Sequence, residues 1–322
     1  MLNNYINIYD FKSLFKKISE NSYSIILNLL RTRNSIVKDR WNSYELEQVD
    51  SILDSRFNYL ITGDPKISRF EYACGKYLRD RKVIAASLGC GSGEHETSWA
   101  RQETFSRIDC CDISPIRIQT ATKNANNAGL GDVLNFTCAD VLSAHFPTCY
   151  YDVIILESAL HHFSPLDQVM MMIKNMLKPG GLIFMTDFIG PTKFQWHPRQ
   201  LQVVNALIDL LPDKYLYDKN GQRIQKLFKP SYLRMHLMDP SEAVESGNII
   251  PLLRKHFQEL EFKNAGGAIT NHLFPRLLHN FHRDDSNAQR WLKICIEVED
   301  LLLNNTDEIG MWYGFGVYRK SQ

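Results

Sequence analysis

The chain has 322 residues, of which 44% are hydrophobic and 23% charged, values typical of a soluble globular protein with a sizeable core. Its formal net charge of +1 at pH 7 provides no overall field that would attract nucleic acid or an anionic membrane surface. No apolar stretch approaches the roughly 18 residues that cross a bilayer, and the first residues lack a signal-peptide pattern. We therefore expect a cytoplasmic protein with neither a membrane nor a nucleic-acid partner.

The first eighty residues are predicted to be helical. Apolar residues recur at helical spacing in residues 22–30 and 46–53, and Gly63-Asp64-Pro65 is a clear break. We expect residues 1–81 to form an N-terminal helical cap or lid.

From about residue 82, short apolar runs alternate with helical segments. The runs that predict strands are residues 83–88, 108–111, 133–138, 153–156 and 182–186, and helices are expected at 116–127 and 166–177. Regular alternation of this kind predicts an α/β fold: a doubly wound, Rossmann-like, mostly parallel sheet with helices on both faces. Residues 82–190 would form this core.

The regularity fades after Asp187. A helix is predicted at 198–211, a sixth strand at 260–263, a helix at 287–303 and a last strand at 312–318. Residues 191–322 would therefore complete the sheet and add helical insertions that form a substrate cap.

The seven cysteines are an odd number and do not have the spacing of a disulfide framework or of a zinc site. We expect reduced, buried thiols. The adjacent Cys110 and Cys111 would point to opposite faces of one strand.

Residues 83–94 read VIAASLGCGSGE, a strand that enters glycines at alternate positions, Gly89, Gly91 and Gly93. Such a loop places backbone N–H groups and a helix N-terminus around a ligand at the carboxyl edge of the sheet. A nicotinamide-binding fingerprint would have a further glycine at position 94, where Glu94 would repel a pyrophosphate. The loop alone thus disfavours hydride chemistry.

Acidic residues follow the next two strands. Asp112 could accept both hydroxyls of a ribose, and Asp140 could accept an amino hydrogen of adenine. The alternative is helix capping, by Asp112 or Ser114 before the second helix and by Asp140 before the third. Because these acids and the glycine loop follow three successive strands, a ligand site is the better explanation.

The ordered set of residues 88–93, 111–114, 139–141, 152–154 and 177–181 resembles the class I S-adenosylmethionine-dependent methyltransferases, of the small-molecule type found in bacteria. The resemblance covers about residues 82–188 and implies a seven-stranded sheet with S-adenosylmethionine as cofactor. By this resemblance, the cofactor lies on the loop glycines Gly89, Gly91 and Gly93. Asp112 binds the ribose hydroxyls and Asp140 contacts adenine, whose two faces are flanked by Ile113 and Val141.

Position 87 departs from the family pattern. The family usually has an acid two residues before the first glycine, which supports the methionyl amino group, and this chain has Ser87. Glu94 and Glu157 are the substitutes that the sequence offers.

The resemblance places methyl transfer after the fourth strand, where the chain reads Leu160-His161-His162. A hydroxyl acceptor requires a base near neutral pH, and histidine suits that role. Adjacent histidines are not expected to face the same point, and His161 matches the Leu-His of similar enzymes better than His162. The alternative is that one histidine caps the next helix or bonds to backbone while the other is solvated.

A metal-assisted reaction is not expected. Catechol-type relatives use an Asp-Asn pair after the fifth strand, whereas Asp187 is followed here by Phe188. The other histidines lack zinc-like spacing.

Aromatic residues are frequent outside these motifs. At least half are expected to be packing residues, and the rest would line a pocket under the cap. They are Trp41, Tyr44, Phe188, Phe194, Trp196, Tyr232, Phe274 and Phe281.

The sequence therefore predicts a methyltransferase that acts on a hydroxyl or amine of a small molecule by in-line transfer. The alternatives are an aminopropyltransferase, a nicotinamide oxidoreductase and a cofactor-binding interaction protein. A nucleic-acid N-methyltransferase is disfavoured because Glu157-Ser158-Ala159-Leu160 is not the Asn/Asp-Pro-Pro-aromatic segment that holds a flipped base. The acceptor, the choice of oxygen or nitrogen and the oligomeric state stay open.

Overall fold

A computed structural model describes residues 51–304 and 309–321. The predicted helix at 22–30, most of the predicted segment 46–53, and the aromatic residues Trp41 and Tyr44 lie outside these ranges. Two helices precede the sheet, α1 (Ser51–Thr62) and α2 (Arg69–Tyr77). The predicted break separates them, and Ser68 caps α2 by accepting a hydrogen bond from the backbone N–H of Glu71.

The sheet has seven strands in the order β3-β2-β1-β4-β5-β7-β6. The first five are parallel, and β7 runs antiparallel to both β5 and β6. The strands are β1 (Val83–Leu88), β2 (Phe105–Asp112), β3 (Leu134–Cys138), β4 (Tyr151–Glu157), β5 (Leu177–Phe188), β6 (Gln258–Asn264) and β7 (Tyr313–Arg319). The predicted Rossmann-like, doubly wound sheet is confirmed.

Helices cover both faces of the parallel part of the sheet. They are α3 (Glu94–Ala100), α4 (Pro115–Asn127) and α5 (Leu166–Met176). Successive residues of β1 enter different cores, because Ala85 packs with Trp99 and Phe184 on one face, whereas Ala86 packs with Ile154 on the other. A strand buried on both faces is apolar throughout, which explains why β1 and β4 were recognisable as continuous runs.

The chain between β5 and β7 adds the helices α6 (Pro198–Leu210), α7 (Tyr232–Met238), α8 (Ile249–His256), α9 (Thr270–Leu277) and α10 (Ser286–Leu302). Helices α6, α9 and α10 share a third hydrophobic cluster, which contains Phe274 and Phe281. These two aromatic residues are therefore packing residues. Within the described ranges, no helix combines the length and apolar character that crossing a membrane requires.

The cysteines differ in burial. Five are buried, including Cys110 and Cys111, which lie in the cores on opposite faces of the sheet. Cys138 and Cys149 are exposed, so the prediction of buried thiols is wrong at these two positions. Cys138 lies on β3, which is an edge strand and is covered less completely than the central strands.

Candidate active site

The glycine loop connects β1 to α3 at the centre of the carboxyl edge of the sheet. The backbone N–H groups of Gly89 and Cys90 both donate to the carbonyl of Cys111, at 2.8 and 3.1 Å, and tie the loop to the end of β2. Because β2 and β4 flank β1 on opposite sides, this is the point at which the strand order reverses. Ligands of doubly wound folds bind at such a point.

Gly93 is required by close approach as well as by backbone conformation, whereas a Cβ at Gly91 would meet only the flexible end of a side chain. Gly93 has φ +80°, and a Cβ there would lie 3.0 Å from the Cβ of Ala121 and 3.1 Å from the ring of Phe136. Gly91 has φ +54°, and its Cβ would lie 2.7 Å from Nη1 of Arg117. Gly93 thus permits close packing of the loop against its neighbours. Gly91 lies under the guanidinium group of Arg117, which a ligand on the loop would have to displace.

Asp112 is fixed at the end of β2 by two backbone hydrogen bonds. Its Oδ2 accepts from the N–H of Gly91 at 2.9 Å, and its Oδ1 accepts from the N–H of Ser114 at 2.8 Å. The residue that caps α4 is Ser114, whose Oγ accepts from the N–H of Arg117. Capping therefore does not account for Asp112. Each of its oxygens keeps a second lone pair with which to accept from a hydroxyl.

Asp140 lies in a turn, where its Oδ1 accepts from the N–H of Leu142 at 3.0 Å. No helix follows within residues 139–150 of the described chain, so the alternative that Asp140 caps a third helix is wrong. The two residues predicted to flank adenine differ in burial, since Val141 is buried and Ile113 half-buried.

The two predicted substitutes for the missing acid at position 87 occupy different environments. Glu94 is exposed on the first turn of α3. Glu157 is buried, forms an ion pair with Arg69 at 2.9 Å and accepts from Nε1 of Trp99 at 3.1 Å. Its charge is therefore already matched by a cation from α2.

A third acid, Glu96, was not singled out by the sequence. It is 1% exposed, and its Oε1 accepts from Oγ of Ser87 at 2.7 Å, at the position where the family has an acid. Within the described ranges its Oε2 has no hydrogen-bond partner. Burial, with a further contribution from Glu157, raises the pKa of Glu96 to about 8. Helix geometry could have indicated Glu96. It lies two positions after Glu94 in the same turn, so the two side chains point in different directions.

These residues fit a cationic cofactor. Asp112, Glu96 and Glu157 place three buried carboxyl groups around one loop, and of these three only Glu157 forms an ion pair with a described residue. A buried carboxylate favours a nearby positive charge and opposes a pyrophosphate. The arrangement therefore suits a nucleoside bearing a sulfonium and an ammonium group better than a dinucleotide.

The turn after β4 presents His161 in a fixed orientation. His161 is 7% exposed, and its Nδ1 lies 2.6 Å from Oδ1 of Asp187, which is fully buried at the end of β5. The other oxygen of Asp187 accepts from the N–H groups of Ala159 and Leu160, at 2.8 and 2.7 Å. A carboxylate held in this way fixes the tautomer with the proton on Nδ1 and leaves a lone pair on Nε2.

The two histidines have opposite pKa shifts. Burial alone would lower the pKa of His161, but the adjacent Asp187 carboxylate, with a smaller effect of Glu242, raises it above the usual value. Burial and the neighbouring His161 hold the pKa of His162 well below its usual value. His162 is therefore neutral at pH 7, and its Nδ1 lies 3.3 Å from the carbonyl oxygen of Ser241, to which it donates.

The prediction that the adjacent histidines cannot face the same point is wrong. Their ring centroids lie 3.9 Å apart, and His161, His162 and Glu242 each have one potential ligand atom within 4.8 Å of the others. Residues 160–162 form a single 3₁₀ turn, and a neighbouring segment brings Glu242 to the same point. Of the expected alternative, the bond to backbone is present at His162, whereas helix capping and solvation do not describe the pair.

The segment 239–245 is docked on this turn by hydrogen bonds. The N–H of Val244 donates to the carbonyl of His161 at 3.0 Å, and Nζ of Lys193 donates to the carbonyl of Pro240 at 2.9 Å. Glu245 accepts from Oγ of Ser164 at 2.6 Å. Glu242 could not be identified from the sequence, because it lies far along the chain in an irregular segment.

An aromatic cluster borders the histidine turn. The ring of Phe188 lies 5.9 Å from that of His161 and also contacts Phe194 and Trp312. Trp196 joins the same cluster. Within the described ranges, Nε1 of both Trp196 and Trp312 is buried without a hydrogen-bond partner. Such donors next to an apolar surface are suited to a ligand that carries acceptor atoms.

A family model described as a methyltransferase domain matches residues 86–185. This part of the chain is a class I S-adenosylmethionine-dependent methyltransferase domain. The loop glycines, the predicted ribose and adenine acids, Glu157 and both histidines lie inside the methyltransferase domain. Asp187 and Glu242 lie outside it.

Two curated proteins illustrate the likeness. The 27-O-demethylrifamycin SV methyltransferase of Amycolatopsis mediterranei is 28% identical over 102 residues, which are 32% of this chain and 37% of that protein. The ubiquinone/menaquinone biosynthesis C-methyltransferase UbiE of Pectobacterium atrosepticum is 23% identical over 124 residues, 38% of this chain and 49% of that protein. The chain thus spans between about a third and a half of the length of these relatives.

A solved structure extends the likeness in fold beyond the methyltransferase domain. Geranyl diphosphate methyltransferase, in complex with GPP and sinefungin, aligns with a TM-score of 0.51 at 11% identity, covering 89% of this chain and 99% of that one. The match supports the seven-stranded methyltransferase fold.

Proposed function

We propose that the chain transfers a methyl group from S-adenosylmethionine to a hydroxyl or amine of a small molecule. The observation that carries the proposal is the buried Asp187–His161 pair at the end of β4 and β5, beside the glycine loop. When bound, the cofactor supplies a reactive methyl group on a sulfonium. The residues of the chain then have to align the acceptor for in-line attack, exclude water and accept a proton.

The cofactor side of the proposal uses the ends of four adjacent strands. Gly89, Gly91 and Gly93 form the loop on which the cofactor lies, and Asp112 accepts the ribose hydroxyls. Asp140 holds the adenine amino group between Ile113 and Val141. In the remaining part of the site, a positive charge on the cofactor would favour the ionised form of the buried Glu96 carboxyl, whereas Glu157 is already paired with Arg69.

On the acceptor side, His161 is the base. Its Nδ1 proton is held by Asp187, so Nε2 is the atom that takes the proton of a hydroxyl as the methyl group arrives. His162 packs beside it and borders the acceptor. The aromatic cluster of Phe188, Trp196 and Trp312 forms the wall against which the acceptor lies.

The named relatives do not decide the acceptor atom. One is an O-demethylrifamycin methyltransferase and the other a C-methyltransferase, and each match covers less than half of the relative. Residues 191–322 contribute Trp196, Glu242 and Trp312 to the acceptor side, which suits their proposed role as a substrate cap.

The test combines cofactor binding with turnover. Calorimetric binding of S-adenosylmethionine comes first, followed by a methyl-release assay over a panel of hydroxyl- and amine-bearing metabolites. For a hydroxyl acceptor, His161→Ala is expected to lower turnover about 10²–10⁴-fold, while the affinity for the cofactor stays the same. His162→Ala is expected to have a smaller effect.

The outcomes separate the parts of the proposal. No binding of S-adenosylmethionine would overturn the function as a whole, and binding without methyl release would favour an interaction protein or another transferase. Near-normal turnover in His161→Ala with a hydroxyl acceptor would reject the base. A larger loss in His162→Ala would assign the role to the neighbouring histidine.

A further inference from the structure

Three side chains from two distant segments converge next to the proposed transfer site. The potential ligand atoms of His161, His162 and Glu242 all lie within 4.8 Å of one another. We propose that these three residues bind a divalent cation of the zinc class. A set of two histidines and one glutamate, with a fourth position left open, is a known arrangement of catalytic zinc sites.

One distance is compatible with an ion held between two of the ligands. Nε2 of His161 lies 3.6 Å from Oε1 of Glu242. That separation is too long for a hydrogen bond between the two groups. Two ligands that each lie about 2.1 Å from one zinc ion, at a tetrahedral angle, are roughly 3.4 Å apart, close to the observed separation.

Both histidines are oriented as metal ligands usually are. A ligating imidazole donates its other N–H to a carboxylate or a backbone carbonyl, which fixes the tautomer and strengthens the ligating nitrogen. Nδ1 of His161 is held by Asp187, and Nδ1 of His162 lies against the carbonyl of Ser241. In each ring, Nε2 is therefore the nitrogen whose lone pair can meet an ion.

The position of Glu242 does not depend on an ion. The backbone carbonyl of Glu242 accepts from Nζ of Lys193 at 3.3 Å, and the N–H of Lys193 donates to the carbonyl of Ala243. Val244 is bonded to His161 itself. The ligand-bearing segment is thus held by hydrogen bonds to Lys193 and to His161 that do not involve an ion.

The donor atoms select the class of ion. Two imidazoles and one carboxylate suit zinc, copper, nickel and iron, whereas magnesium and calcium prefer ligands that are all oxygen. We therefore expect zinc to bind and magnesium not to compete with it.

Occupancy has a consequence for the reaction, and this part rests on the proposed function. An ion on Nε2 of His161 uses the lone pair that would accept the proton of a hydroxyl. Zinc is therefore expected to inhibit methyl transfer, and removal of zinc by a chelator is expected to restore it. The affinity for S-adenosylmethionine should not change.

The first experiment measures zinc binding without reference to activity. The full chain carries Cys138→Ser and Cys149→Ser, because these two exposed thiols could bind zinc on their own. After removal of metals, zinc is titrated in competition with a chromophoric chelator, and then again in the presence of excess magnesium. One equivalent of zinc is expected to bind, and magnesium should leave the titration unchanged.

Variants then locate the ion. Glu242→Gln and His162→Gln each remove a ligand, and the loss of zinc affinity should exceed the roughly 10–100-fold that loss of an outer hydrogen-bonding partner causes. His145→Gln is the matched control, since His145 is exposed and outside the cluster. Its zinc affinity should equal that of the parent. The far-UV circular dichroism spectrum and the thermal unfolding midpoint of each variant show whether the fold is retained.

Absence of a zinc equivalent, or equal zinc affinity in the parent and both ligand variants, would overturn the site. If zinc instead increased turnover, the prediction that zinc inhibits methyl transfer would be wrong, because the ion would then activate the acceptor. Failure to bind S-adenosylmethionine would count against the proposed function alone, since the zinc titration does not depend on the cofactor.

Discussion

Replacing Asp187 by Asn tests the orientation of His161 by changing a single group. One oxygen of Asp187 accepts from the N–H groups of Ala159 and Leu160, and the other binds Nδ1 of His161 at 2.6 Å. An asparagine has one oxygen and one NH₂ group. The two backbone donors require the oxygen, so the NH₂ group must face His161.

That arrangement forces the wrong tautomer on the histidine. Nδ1 of His161 would have to accept from the NH₂ group, so that the proton moves to Nε2 and the lone pair facing the acceptor is lost. The equivalent substitution in a Ser-His-Asp triad lowers kcat about 10⁴-fold. General-base catalysis contributes about 10²–10⁴-fold, so we expect Asp187→Asn to raise the barrier by roughly 3 to 5 kcal/mol.

The assay is single-turnover methyl transfer to a hydroxyl acceptor, with the affinity for S-adenosylmethionine measured in parallel. The double variant Asp187→Asn/His161→Ala should be no slower than His161→Ala, because both changes remove the same function. Asp167→Asn is the matched control, since Asp167 is an exposed residue whose Oδ1 lies 2.8 Å from Nε2 of His256. Near-normal turnover in Asp187→Asn, or losses that add in the double variant, would refute the reasoning.

Three further variants address the cofactor side. Asp112→Ala should weaken binding of S-adenosylmethionine by about 1.5–3 kcal/mol, the contribution of a hydrogen-bonding charged group, and unchanged calorimetric affinity would contradict its assignment. Gly91→Val puts a branched side chain at φ +54° and into the space over the loop, so both the stability and the affinity for the cofactor should fall; unchanged cofactor affinity would contradict a cofactor lying on the loop. In Glu96 the folded-state pKa is raised from 4.5 to about 8, so the folded protein holds a proton that the unfolded chain releases, and stability falls as the pH rises through that window. Glu96→Gln should remove this dependence and be more stable above pH 8, by an amount with an upper limit of about 5 kcal/mol; parallel urea-unfolding curves against pH for both proteins would contradict the shift.

The strands of the sheet could be predicted because each corresponds to a short apolar run in the local sequence. β1 has the predicted bounds, and β4 extends the predicted run by two residues before it and one after it. β5 begins at Leu177 instead of residue 182, because the Lys178-Pro179-Gly180-Gly181 stretch already belongs to the strand. The prediction was weakest where burial depends on neighbours, as at Cys138 on the edge strand.

The cofactor side was also largely accessible from the sequence, since its residues directly follow strands whose order can be inferred. Glu96 was missed because Ser87 and Glu96 meet only when α3 packs against β1. The pairing joins a hydroxyl on a strand to a carboxyl on the following helix. A rule that looks for an acid at position 87 itself cannot find it.

The acceptor side could not be predicted for a different physical reason. The sequence suggests for Asp187 only the role of half an Asp-Asn metal pair, whereas in the structure its partner is His161 on the neighbouring strand end. Glu242 reaches the histidines because Val244 and Lys193 dock its segment through backbone hydrogen bonds. These contacts join segments far apart in the chain and do not involve the glycine loop. Under the proposed function, changes in residues 239–245 are therefore expected to alter which acceptor or ion meets His161 without changing the residues proposed to bind the cofactor.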